Sequence, residues 1–127
     1  MIVAERVSIS FGRKRIVSGV DFEAHPGEVS AIVGPNGSGK TTFLKALSGD
    51  AGYEGRISIN GRELRSMKAW ESAAMRAVLP QQAMMAFPFT VREVVKLGLT
   101  GGRSGAPAGE NERLPERALA RVDLDGL

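Results

Sequence analysis

The sequence predicts an α/β fold organised around a phosphate-binding loop. Residues 34–41 read Gly-Pro-Asn-Gly-Ser-Gly-Lys-Thr, which fits G-x-x-x-x-G-K-[ST] at every fixed position. The run before it, residues 29–33 (Val, Ser, Ala, Ile, Val), has the composition of a buried parallel strand. The run after it, residues 40–48, places Phe43 and Leu47 one turn apart with Leu44 alongside, the apolar stripe of a helix.

The other elements follow in chain order. Residues 2–11 are β-branched and apolar, and Val7, Ile9 and Phe11 alternate with Ser8 and Ser10, the period of a half-buried strand. Residues 12–15 read as a turn. Residues 16–23 form a second strand with Val20 and Phe22 on one face, closed by Pro26-Gly27. Gly49 is placed to stop the helix of the loop. Residues 56–60 alternate again, and Asn60-Gly61 is a hairpin signal. Residues 66–75 read as a helix capped by Ser66, and residues 77–79 as a short strand ending at Pro80. Thr90 and Glu93 have capping-box spacing and open a helix through Val94, Val95 and Leu97. A Gly/Pro/Ser-rich stretch, residues 98–109, precedes a last helix over residues 115–122, where Pro115 suits a first turn. There is no internal repeat.

Composition narrows the function classes. The 127 residues suit one domain of ordinary size, and 43% hydrophobic content supports a packed core. With no cysteine, a disulfide framework and a cysteine-based metal site are excluded. No secretory pattern opens the chain. No apolar run approaches the roughly 18 residues that span a bilayer, so membrane association is expected to come through a partner or the surface. The 17 basic and 14 acidic residues are scattered, and without a basic stripe no nucleic-acid partner is expected.

The residue types of the loop fit its chemistry. A triphosphate needs several donors converging on its oxygens, and the backbone N–H groups of a tight loop supply them. Gly37 and Gly39 let the chain approach without a Cβ in the way. The helix that follows points its positive end at the phosphates. Lys40 adds a mobile cation for the outer phosphates. Thr41 offers a hydroxyl to Mg²⁺, and Thr42 reaches a phosphate oxygen. Gly34, Pro35, Asn36, Gly37, Ser38, Gly39, Lys40, Thr41 and Thr42 are thus the expected binding residues for Mg·ATP.

Three further features narrow the reaction. The loop continues into Thr42 and follows Pro26-Gly27-Glu28. Two strands precede it, one ending in Ser10-Phe11-Gly12. Leu79-Pro80-Gln81 comes after it. Together these resemble the ATP-binding subunits of ABC transporters, over the whole chain. The resemblance implies a P-loop NTPase of the ABC ATPase type. Its parts are an N-terminal antiparallel β-subdomain, the phosphate-loop core and the start of the helical subdomain. Residues 1–80 would be the nucleotide-binding core, and residues 81–127 the Q-loop and an incomplete helical subdomain.

Carried over by residue, Phe11 looks like the A-loop aromatic that stacks on adenine, and residues 34–42 match Walker A. Gln81 looks like the Q-loop glutamine, which contacts Mg²⁺ and the attacking water and couples the site to the membrane partner. Gln82 is its neighbouring alternative. Lys40 and Gln81 are therefore the catalytic candidates, with Thr41 and Gln81 as metal contacts. Leu79-Pro80-Gln81 followed by Ala86-Phe87-Pro88-Phe89-Thr90-Val91 is similar to the ATPases of hemin importers, relatives of the siderophore and cobalamin importers. The implied partners are transmembrane permease subunits, a second copy of the ATPase and, indirectly, a substrate-binding protein. The implied location is the cytoplasmic face of the membrane, as a peripheral subunit.

Several parts of that family's pattern are missing. There is no LSGGQ-type signature, no Walker B strand ending in Asp and Glu, and no late switch His. Leu47-Ser48-Gly49-Asp50 imitates the signature but reads as a helix terminus with its glycine stop. Asp123 and Asp125 follow no apolar strand, and His25 sits in a surface turn. The chain thus reads as the N-terminal half of a transporter ATPase. By itself it is expected to hydrolyse ATP poorly, since no carboxylate remains to orient the water. Residues 29–33 are expected to have an unpaired edge and exposed apolar side chains. Met84, Met85, Phe87 and Phe89 form an apolar cluster that suits either burial or a surface receiving the membrane partner. Tyr53 and Trp70 read as packing residues. Three alternatives stay open: a soluble ABC-type ATPase, a small-molecule kinase, and a non-hydrolysing nucleotide-binding module.

Overall fold

In the computed structural model, residues 1–79, 88–99 and 113–124 are described. The chain divides into two compact units, Met1–Val78 and Leu79–Leu127.

The first unit is built on a four-stranded antiparallel sheet of order β2-β1-β3-β4. Its strands are β1 (Ile2–Phe11), β2 (Lys14–Ala24), β3 (Glu54–Ile59) and β4 (Arg62–Glu63). The turn between β1 and β2 shrinks to Gly12-Arg13, so Lys14 already pairs with Phe11. Asn60 and Gly61 both take positive φ, 49° and 77°, as a two-residue hairpin requires, and Ile59 pairs with Arg62 across it.

Strict alternation in β1 breaks at a bulge. Arg6 has φ 49°, and the register with both neighbouring strands shifts between Ala4 and Ser8. Polar side chains satisfy the displaced backbone. The Arg6 N–H donates to Asp21 Oδ1 at 2.7 Å, and the Gly19 N–H donates to Ser8 Oγ at 2.8 Å. Ser8 is therefore buried, although alternation assigned it to the polar face. Gly55, in β3, meets the bulge at close range, with φ 90°.

One face of the sheet carries the core. Ala4, Val7, Ile9, Val17, Ile57 and Ile59 pack there with Phe43, Ala46 and Leu47 of α1 (Lys40–Leu47). Phe22 meets Phe43 edge-on, with ring centroids 5.8 Å apart and planes at 86°. Phe43, Ala46 and Leu47 make the buried stripe, and Leu44 is exposed, contrary to its expected place beside them. Gly49 stops the helix as expected, at φ 74°. Its N–H donates to Ala46 O at 3.0 Å and the Asp50 N–H to Lys45 O at 2.8 Å, the paired bonds of a Schellman ending.

Three expected elements differ. Residues 29–33 form no strand. Val29 is 99% exposed and Val33 87%, and no strand among the described residues offers its N–H and C=O groups partners. The expected exposure of these valines is thus present and the expected strand is not. Residues 77–79 form no strand either, for the same reason, and Leu79 is 96% exposed. The helix expected over residues 66–75 is a 3₁₀ turn at Leu64–Ser66 followed by α2 (Ala69–Ala73). Ser66 Oγ donates to Glu63 O at 2.7 Å and caps nothing. The cap of α2 is Glu71, whose carboxylate accepts the Lys68 N–H at 2.8 Å.

The second unit contains α3 (Val91–Leu97) and α4 (Leu114–Ala120), joined by an Arg92–Glu116 ion pair. The capping box at α3 is present. Glu93 Oε2 accepts the Thr90 N–H at 2.8 Å, and Thr90 Oγ1 accepts the Glu93 N–H at 3.3 Å. Replacing Thr90 by alanine should cost about 1 kcal/mol of local stability, read as faster amide exchange in α3. The Glu93 carboxyl is held below the ordinary glutamate value, first by the Thr90 backbone N–H and then by its side chain. The cap's contribution is therefore complete above the ordinary glutamate pKa and is lost as pH falls through the lowered one. A pH titration of the Glu93 carboxyl by NMR should give a midpoint below that of a model glutamate, and Thr90→Ala should raise it.

Candidate phosphate-binding site

The loop is shaped by its glycines and held by its lysine. Gly37 and Gly39 take φ 82° and 92°, so both need the freedom that a Cβ removes. Space around the two differs. A Cβ on Gly37 would meet nothing within 4 Å, so that side of the loop is open to a ligand. A Cβ on Gly39 would lie 3.0 Å from Val17 Cγ2, 3.1 Å from Ile16 Cγ2 and 3.2 Å from Ile16 O. Gly39 thus presses the start of α1 against β2, a packing role that the motif alone does not reveal. The turn itself is closed by the Ser38 N–H donating to Pro35 O at 3.3 Å.

Lys40 lies back along the loop. Its Nζ donates to Gly34 O at 2.8 Å and to Pro35 O at 2.7 Å. An ammonium has three donors, so one remains for an anion while the other two fix the loop. The start of α1 has no side-chain cap, and no acidic residue stands in its first turn. Its leading N–H groups and positive dipole end are therefore not answered by a carboxylate of that turn. Phe43 makes the first helical bond, to Gly39 O at 2.8 Å, which leaves the Lys40, Thr41 and Thr42 amides ahead of it.

These features fit a phosphate group on three counts: amides in excess, an uncapped helix start, and an open face at Gly37. They also fit Mg²⁺ in the sense that Thr41 carries a first-turn hydroxyl and is exposed, whereas Thr42 beside it is half-buried. Phe11 sits at the end of β1 and is 62% exposed, with its ring available for stacking. Gln81 and Gln82 lie outside the described residues, as do Met84, Met85, Phe87 and Asp125. His25 Nε2 lies 3.5 Å from Glu23 Oε2, both on the surface of the first unit. Among the described residues no helix is long and apolar enough to cross a membrane.

Residues 17–127 match the family model described as ABC transporter. The chain belongs to the ABC transporter family. Its fold is that of an ABC ATPase, a P-loop NTPase with an antiparallel β-subdomain and helices. The ABC relatives include the hemin import ATP-binding protein HmuV of Mesorhizobium japonicum, 71% identical over 127 residues, all of this chain and 48% of that protein. HmuV of Ruegeria sp. is 57% identical over 97% of this chain and 46% of its own length. Among solved structures, an ATP-binding subunit of an ABC transporter superposes with a TM-score of 0.83 at 25% identity, covering 98% of this chain and 51% of that one. A bacterial ABC exporter with ATP bound superposes with a TM-score of 0.70 at 28% identity, covering 95% of this chain and 21% of its own. The chain spans about half the length of the curated relatives it matches.

Proposed function

We propose that this chain is the ATP-binding part of the motor subunit of an ABC-type importer that couples ATP hydrolysis to hemin uptake. The observation that carries the reading is the 71% identity, along the entire chain, to a protein named as a hemin import ATP-binding subunit. The geometry of the phosphate loop supports the chemistry.

In this reading the amides of residues 37–42 and the start of α1 bind the β- and γ-phosphates of ATP. The third donor of Lys40 reaches the outer phosphates while the other two keep the loop in shape. Phe11 stacks on adenine. Thr41 and Gln81 would hold Mg²⁺, which supplies charge neutralisation on the phosphate oxygens when bound. Gln81 orients the attacking water and relays nucleotide state to the membrane partner. Residues 1–80 act as the nucleotide-binding core and residues 81–127 as the Q-loop and the start of the helical subdomain. Two copies closing on two ATP molecules would pull on transmembrane permease subunits at the cytoplasmic face, with a substrate-binding protein acting upstream. Closure follows from tighter ATP binding to the closed state than to the open one.

Residues 1–127 carry no apolar run ending in Asp-Glu, so without that carboxylate to activate water this stretch alone should bind nucleotide and turn it over at the background rate. The test of the cargo uses the natural-length protein with its permease in proteoliposomes. ATP-dependent uptake of hemin, with no uptake of a ferric siderophore, is the expected result. Siderophore uptake without hemin uptake would overturn the cargo and leave the ATPase intact.

A further inference from the structure

The last glycine of the phosphate loop rests on an irregularity of β2. Along the β1–β2 ladder Ile9 pairs with Val17, yet the next residue of β1, Ser10, pairs with Arg15. Ile16 is therefore an extra residue on β2, the mark of a β-bulge, a device that re-aims the strand and its side chains. The three atoms nearest to where a Cβ on Gly39 would stand all belong to this bulge: Val17 Cγ2, Ile16 Cγ2 and Ile16 O.

Gly39 is also the N-cap of α1. Its carbonyl accepts the first helical bond, from the Phe43 N–H at 2.8 Å. The position of Gly39 therefore decides where the Lys40, Thr41 and Thr42 amides point. One turn further on, Phe43 meets Phe22 of the same strand edge-on. β2 thus touches α1 at two points, the bulge and Phe22. Two supports fix the direction of the helix and of its positive end. Val17 is only 7% exposed, so it offers a ligand almost no surface and acts through Gly39.

We propose that Val17, seated at the β2 bulge, is a positioning residue for nucleotide binding. Its Cγ2 methyl sets the place of Gly39 and so the aim of the amides that meet the phosphates. The inference rests on the reading of residues 34–42 as the phosphate site. It gives the antiparallel sheet a part in phosphate binding that is separate from the stacking of Phe11 on the base.

The test uses the natural-length protein and two ligands, Mg·ATP and Mg·tripolyphosphate, which has the phosphate chain without base or sugar. Calorimetric titrations and ligand-free thermal melts are compared for the parent, Val17→Ala and Val7→Ala. Val7 is buried in the same core but pairs with Val20, away from the bulge, so it controls for loss of a core side chain. Both variants should melt earlier, and only Val17→Ala should weaken the two ligands, by the same factor of about ten. Val17→Thr keeps the branched shape at a cost in stability and should bind both ligands as the parent does, which tests the idea even if the alanine variant does not fold. Unchanged tripolyphosphate affinity in Val17→Ala, an equal loss in Val7→Ala, or a tenfold loss in Val17→Thr overturns the proposal. Lys40→Ala separates this failure from that of the site. If it still weakens both ligands, only the role of Val17 falls; if it weakens neither, the phosphate site falls and the proposal with it.

Discussion

Gly55→Ala should destabilise the protein by roughly 4 kcal/mol, the largest effect of any single methyl group added to the sheet. The Cβ would stand 2.4 Å from Arg6 O, 2.6 Å from Glu5 O and 2.8 Å from Arg6 C, all backbone atoms at the bulge of β1. None of them is the end of a flexible side chain, so relief requires β1 and β3 to separate. The backbone at Gly55 also has φ 90°, which an alanine adopts only under strain. Gly61→Ala is the matched control. Its φ is 77°, but nothing lies within 4 Å of the added methyl, so it should cost only about 1 kcal/mol. Denaturant melts of the two variants of the natural-length protein should therefore be well separated. Equal midpoints would mean that the close approach of β3 to the bulge is not present in solution.

Lys40→Ala should weaken Mg·ATP binding about 100-fold, or ~2.7 kcal/mol, and bring turnover of the natural-length protein to background. Two losses combine. The variant removes the cation that meets the outer phosphates, and it removes the two bonds, at 2.8 and 2.7 Å, that hold the carbonyls of Gly34 and Pro35. A loop without those bonds must be ordered by the ligand itself, which lowers affinity further. The lysine makes its bonds on an exposed loop, so the melting temperature without nucleotide should change little. Calorimetric titration separates the two quantities. A variant that binds Mg·ATP as tightly as the parent would remove Lys40 from the site.

How much of this was legible in the sequence depends on what each element needs. The phosphate loop was legible because its chemistry is local: two glycines with positive φ, a lysine and a helix start all lie within residues 34–42. The Thr90–Glu93 cap and the Asn60-Gly61 turn were legible for the same reason. Residues 29–33 and 77–79 have strand composition, yet a strand exists only where a neighbour pairs with it, and the described residues provide none. Leu44 departs from the wide apolar stripe that the sequence predicts, because Ala46 completes a narrow one with Phe43 and Leu47. The bulge at Arg6, and with it the burial of Ser8, depends on Asp21, Gly19 and Gly55 arriving from two other strands. No periodicity within β1 announces such an arrangement. The motif explains Gly39 as room for phosphate, and its contact with Ile16 and Val17 is a second constraint visible only in three dimensions.

The most direct measurement is a titration of Mg·ATP into the natural-length protein, isotopically labelled, with every backbone amide followed by NMR. Saturable shifts that are largest at residues 37–42, accompanied by a change at Phe11 and moved to about 100-fold higher Mg·ATP by Lys40→Ala, are the predicted result. Saturable binding that leaves those amides unmoved, or that survives Lys40→Ala undiminished, would contradict the assignment of the loop as the nucleotide site.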